Sequence, residues 1–85
     1  MIQKTVMIGE DEAEAAEMFA EMMRVSGFRV LKYYSSGPAI PAISNERPDV
    51  VILDVMMPDI SGLEVLRYMR RQPDLAQIPV IVVSA

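Results

Sequence analysis

The sequence predicts an α/β domain built on a parallel β-sheet, and three features predict it. Short apolar runs recur at Thr5–Ile8, Val50–Leu53 and Val80–Val83. Segments with helical spacing separate the strands, and the order β-α-β-α-β-α-β implies a parallel sheet with right-handed crossovers. Strands one, three and four also end, at one edge of the sheet, in polar residues of chemical use: Glu10 and Asp11, then Asp54, then Ser84. Open α/β sheets bind ligands outside the carboxyl ends of their strands, so the function is expected at this edge.

Taken in order, Thr5 to Ile8 forms the first strand and Gly9 lets the chain turn out of it. Glu10-Asp11-Glu12 leads into a helix from about Ala13 to Ser26, with Ala15, Met18, Phe19, Met22 and Met23 as its apolar face. The methionines read as core. The macrodipole favours the acids at the helix start, and Asp11 can serve as N-cap. Gly27 suits the position just past a helix end. Phe28–Tyr33 is the second strand, and Arg29 and Lys32 on it suit a sheet edge. Ser35-Ser36-Gly37 reads as a turn. A short, weakly held helix over Pro38–Asn45 follows, with Pro38 in its first position and Pro41 within its first turn.

Val50–Leu53 has no polar face, the pattern of a central strand covered on both sides. It delivers Asp54 to its carboxyl end, and the loop Val55–Ser61 follows. Ser61 and Glu64 make a capping-box signature for a third helix, whose period runs through Leu63, Leu66 and Met69. Arg67, Arg70 and Arg71 lie where the dipole favours cations, and Pro73 ends the helix. Val80–Val83 is the fourth strand.

Composition narrows the chemistry. The 85 residues make one domain, and 52% hydrophobic content argues for a folded core. Without cysteine there is no disulfide framework or thiolate metal site, and without histidine the usual general base and zinc ligand are missing. A net charge of −4 gives no reason to expect nucleic-acid binding. No signal-peptide pattern opens the chain at Met1-Ile2-Gln3-Lys4, and no apolar stretch approaches the roughly 20 residues of a membrane helix. A cytoplasmic protein without membrane contact is expected.

Carboxylates gathered at one sheet edge repel one another unless a cation sits among them. With oxygen ligands alone, a hard divalent ion that keeps several waters fits, and magnesium is the natural occupant. An aspartate beside such an ion can attack phosphorus, and a Ser84 hydroxyl could donate to a phosphoryl oxygen. Bland readings stand beside these: Asp54 as a loop cap, Glu10 and Asp11 as dipole-favoured helix entry, Ser84 as an ordinary strand-end serine, and Met56-Met57-Pro58 as a loop whose methionines pack.

Three segments carry a family resemblance: Ile8-Gly9-Glu10-Asp11-Glu12, Leu53-Asp54-Val55-Met56-Met57-Pro58-Asp59-Ile60-Ser61-Gly62, and Ile78-Pro79-Val80-Ile81-Val82-Val83-Ser84-Ala85. Their spacing agrees too, with 43 residues from Asp11 to Asp54 and 30 from Asp54 to Ser84. The chain resembles the receiver domain of two-component response regulators. The resemblance implies a flavodoxin-like (CheY-like) sheet of order 2-1-3-4 with three helices. It implies that Asp54 accepts a phosphoryl group from a phosphohistidine on a sensor kinase or phosphotransfer protein. Asp11, Glu10, Asp54 and the backbone carbonyl of Met56 would hold Mg2+, and Ser84 would be the switch hydroxyl. Such a chain is a signalling module rather than an enzyme.

The resemblance also implies a truncated receiver domain over residues 1–85, because the family continues with a helix, a strand and a further helix. That segment would supply a lysine for the phosphoryl group and an aromatic switch residue. Lys4, at the opposite end of the sheet, and Lys32, on the edge strand, are poor substitutes. Gly9 departs from the larger apolar residue usual there. Without a fifth strand, Val80–Val83 is an exposed edge that templates association, so a homo-oligomer through the fourth strand is expected. Alternatively, the 85 residues are a fragment of a longer protein. A second reading is therefore a receiver with impaired phosphorylation acting as a self-associating interaction module. A third, a magnesium-dependent phosphatase, wants an acid two residues after the nucleophile, where Met56 stands.

Overall fold

The computed structural model describes residues 2–84; Met1 and Ala85, which belong to the segments discussed above, lie outside the described residues. Four parallel strands, β1 (Thr5–Gly9), β2 (Arg29–Tyr33), β3 (Val50–Asp54) and β4 (Val80–Val83), form one sheet of order β2-β1-β3-β4. Helices α1 (Ala13–Val25), α2 (Ser36–Glu46) and α3 (Gly62–Arg71) connect them. The expected order 2-1-3-4 with three helices is the observed one.

The period-2 alternation of the strands divides the core into two layers. Met7, Val51 and Leu53 pack on one face with Ala42 and Ile43 of α2, Val65 and Met69 of α3, and Leu75. Val6, Ile8 and Ile52 face the other way, toward Ala20, Phe19 and Met23 of α1. Val50–Leu53 is central as expected, lying between β1 and β4 with Val51, Ile52 and Leu53 buried.

Strand β2 is an edge whose charges are paired. Arg29 bonds Glu46 at 2.8 Å, and Lys32 meets Glu17, which also receives Arg24 at 3.1 Å. Lys32 first and Arg24 next hold the Glu17 carboxyl below its ordinary value. Lys32 is thus committed to α1. Lys4 lies just before β1, where its carbonyl accepts from the Arg29 N–H at 2.8 Å.

Several local expectations are corrected. Gly9 closes β1, paired with Tyr33 and Leu53, and the turn begins only at Glu10. The N-cap of α1 is Glu12, not Asp11. The buried stripe of α1 runs through Ala16 and Ala20, while Met18 and Met22 are exposed. Helix α2 is longer than Pro38–Asn45, and Pro41 lies in its interior, beyond its first turn. Ser61 accepts from the Leu63 N–H at 3.2 Å, but Glu64 turns to Arg67, so only half of the capping box forms. Helix α3 buries Val65 and Met69 rather than Leu63. Gly27 ends α1 as expected, at φ 95° with its N–H on the Arg24 carbonyl at 2.9 Å.

Candidate functional site: an acidic cluster at the carboxyl edge

Strand register brings the acids together. Gly9 pairs with Leu53, so the residues that follow, Glu10 and Asp54, stand side by side at the end of the sheet. The Glu10 N–H donates to the Tyr33 carbonyl at 3.0 Å, which carries the β1–β2 ladder one residue past the strand. Gly9 is buried, and a Cβ there would lie 3.0 Å from Leu53 Cδ2 and 3.6 Å from Met57 Cε. Leu53 and Met57 thus lie over the space that a side chain at residue 9 would enter.

One carboxylate oxygen from each of Glu10, Asp11 and Asp54 lies within 4.8 Å of the others. Glu10 is only 7% exposed and accepts from the Glu12 N–H at 3.1 Å. Burial first, then the neighbouring Asp54 and Asp11, push the Glu10 carboxyl above its ordinary value against the pull of the Glu12 amide. The energetic conflict is physical: three like charges converge, with one of them out of water. The donor set is all oxygen, so it fits a hard cation such as Mg2+. At the same edge, Asp54 Oδ1 accepts from the Met56 N–H at 3.0 Å. The loop-cap role of Asp54 is real and coexists with its place in the cluster.

Ser84 reaches the same edge. Val83 pairs with Asp54, its carbonyl accepts from the Val55 N–H at 3.0 Å, and exposed Ser84 comes next. Met56 is also at the edge, but its side chain is 70% exposed rather than packed. Met57 is the methionine that turns inward, toward Gly9.

The loop after Asp54 closes on itself: the N–H groups of Met57 and Gly62 both donate to the Val55 carbonyl at 3.1 Å. From its tip, Asp59 reaches to α2, where Oδ1 accepts from the Ser36 N–H at 2.8 Å and Oδ2 from the Gly37 N–H at 2.6 Å. The buried Ser36 hydroxyl donates to the Ile60 carbonyl at 2.6 Å. These contacts were not anticipated from the sequence. The available signal was Ser35-Ser36-Gly37, a helix start whose own N-cap, Ser35, makes no side-chain cap.

Family comparison assigns this parallel sheet with its acidic carboxyl edge to a class of signalling domains. The family model for the response regulator receiver domain matches residues 6–85, and the chain belongs to that family. It is 33% identical over 82 residues to the polar-differentiation response regulator DivK of Brucella anthropi, covering 96% of this chain and 67% of that protein. The signal receiver domain of a signal transduction histidine kinase from Syntrophus aciditrophicus superposes with a TM-score of 0.90 at 32% identity, covering 94% of this chain and 61% of that one. A CheY-like receiver domain from Methylobacillus flagellatus superposes with a TM-score of 0.86 at 31% identity, covering 98% and 70%. The chain spans about two thirds of the length of these relatives. Receiver domains bind Mg2+ at an acidic pocket and interact with histidine kinases or phosphotransfer proteins in phosphorylation-type signalling.

Proposed function

We propose that the domain is a phosphoacceptor module of a two-component phosphorelay, with Asp54 as the acceptor. The observation that carries this reading is the convergence of Glu10, Asp11 and Asp54 oxygens within 4.8 Å at the sheet edge. A carboxylate oxygen of Asp54 attacks the phosphorus of a phosphohistidine on a sensor kinase or phosphotransfer protein. An O–P bond forms, the N–P bond breaks, and the imidazole nitrogen keeps the electron pair and takes up a proton. Glu10, Asp11, Asp54 and the Met56 carbonyl would hold Mg2+, which would supply charge neutralisation at the transferring oxygens. Ser84 donates its hydroxyl to a phosphoryl oxygen. The domain is a signalling protein rather than an enzyme, at most catalysing its own phosphorylation and dephosphorylation.

The net charge of −4 argues against nucleic acid as its partner. Among the described residues no helix is long and apolar enough to cross a membrane, and we place the domain in the cytoplasm. Incubation with Mg2+ and acetyl phosphate is expected to add one phosphoryl group by intact mass, and Asp54→Asn is expected to abolish it. Equal labelling of the Asn variant overturns the assignment of Asp54.

A second reading rests on β4. In the 85-residue chain it is the outermost described strand, with Ile81 54% and Val82 37% exposed on opposite faces. An apolar edge with unpaired backbone groups favours self-association. In this reading the chain works as an interaction module. Light scattering at high micromolar concentration is expected to give more than one chain's mass, and a monomer overturns this reading.

A further inference from the structure

We infer that Asp59 is a positioning residue that sets the Met56 carbonyl of the metal site by clamping the acceptor loop to the start of α2. The inference rests on the Mg2+ site proposed above.

The clamp has three bonds. Both Asp59 carboxylate oxygens are used, on the N–H groups of Ser36 and Gly37, and the Ser36 hydroxyl holds the next loop residue through the Ile60 carbonyl. The first N–H groups of a helix have no partner within the helix, and Ser35 supplies no side-chain cap. Asp59 therefore caps α2 from another loop, 23 and 22 residues away in sequence. The two amide bonds hold its carboxyl below the ordinary aspartate value, so it stays charged at neutral pH. A Cβ on Gly37 would come within 3.1 Å of Asp59 Oδ2, so residue 37 leaves the carboxylate its room.

The path from the clamp to the metal site is short and stiff. Between Asp59 and Met56 stand only Met57 and Pro58. Pro58 has a fixed φ, and the residue before a proline is itself restricted. The Met57 N–H is held by the Val55 carbonyl, which also receives the Gly62 N–H, and the Met56 N–H is held by Asp54. The loop is thus a ring closed at its base, fastened at its tip by Asp59. Fixing the tip removes the remaining freedom of the segment that carries the Met56 carbonyl. Mutating a partner that orients a metal ligand typically costs about 10- to 100-fold in metal affinity.

The test uses the isosteric Asp59→Asn, whose amide nitrogen cannot accept from a backbone N–H, with Ser36→Ala as a second variant that cuts the Ile60 bond alone. Mg2+ affinity is read by calorimetry, and amide hydrogen exchange reads the loop. Asp59→Asn is expected to raise the Mg2+ Kd about tenfold. It should also speed exchange at Met57 and Gly62 together with Ser36 and Gly37. Ser36→Ala is expected to act in the same direction but less. Faster exchange confined to Ser36 and Gly37, with Mg2+ affinity unchanged, shows a helix cap and nothing more, and overturns the inference. Absence of Mg2+ binding by the unsubstituted chain overturns the metal-site reading, and the clamp's role with it; that failure is distinguishable because it is seen before any substitution.

Discussion

Gly62 shows how closely the acceptor loop approaches the strand it leaves. A Cβ there would lie 2.2 Å from the Asp54 carbonyl oxygen and 2.9 Å from its carbon, both main-chain atoms with little room to move. Gly62→Ala is expected to destabilise the fold by about 1–3 kcal/mol, seen as a lower urea midpoint; an unchanged midpoint refutes it. Asp59 makes a pH-dependent contribution. Its folded pKa is lowered from 3.8, first by the Ser36 amide and next by the Gly37 amide. Such a group stabilises the fold above its unfolded value and loses that contribution as pH falls through the folded one. The urea-midpoint gap between the unsubstituted chain and Asp59→Asn should be complete at neutral pH and close below 3.8. A gap that persists to the lowest pH at which both fold contradicts the linkage. At this scale Glu10, Asp11 and Asp54 were legible because an acid ending an apolar strand has one edge to go to. Asp59 was not, because its partners lie on a different β–α unit.

Helix α2 carries the clearest conflict between element and residue. Pro41 stands inside it, exposed, and offers no N–H to the carbonyl one turn earlier. Pro41→Ala loses little packing and restores that bond, so it is expected to stabilise the chain by about 1–3 kcal/mol, read as a higher thermal midpoint. A lower midpoint would mean that Pro41 itself is needed for packing. The prolines led the sequence reading to a shorter helix, since Pro38 and Pro41 fit a first turn. The fold places that turn at Ser36, where Asp59 and Ile60 hold it. In α1 hydrophobicity marked Met18 and Met22 for the core along with Phe19 and Met23, but Met18 and Met22 are exposed and the helix sits on Ala16 and Ala20, flanked by Phe19 and Met23. Small residues allow close approach to the sheet, a preference of packing that a hydrophobic pattern does not report.

For the molecule as a whole, the two sheet edges differ. On β2 the charges are paired with α1 and α2, whereas β4 exposes Ile81 and Val82. Lysine on an edge strand opposes pairing with another chain. Ile81→Lys is therefore expected to bring the scattering mass of a self-associating chain down to one copy while the folded far-UV spectrum remains. A variant that stays associated places the contact elsewhere, the exposed Met18, Met22 and Val25 of α1 being the next apolar surface.

The sequence by itself determined the element order, the parallel sheet, the central place of Val50–Leu53 and the residues that meet at the carboxyl edge. These follow from local periodicity and from the single direction of a parallel sheet, which sends every strand's end to one side. Only the tertiary structure decided which stripe of each helix is buried, where α2 begins, and that Asp59 ties the acceptor loop to it. Those outcomes depend on which surfaces meet across the fold, and residues distant in the chain carry no local pattern that announces their contact.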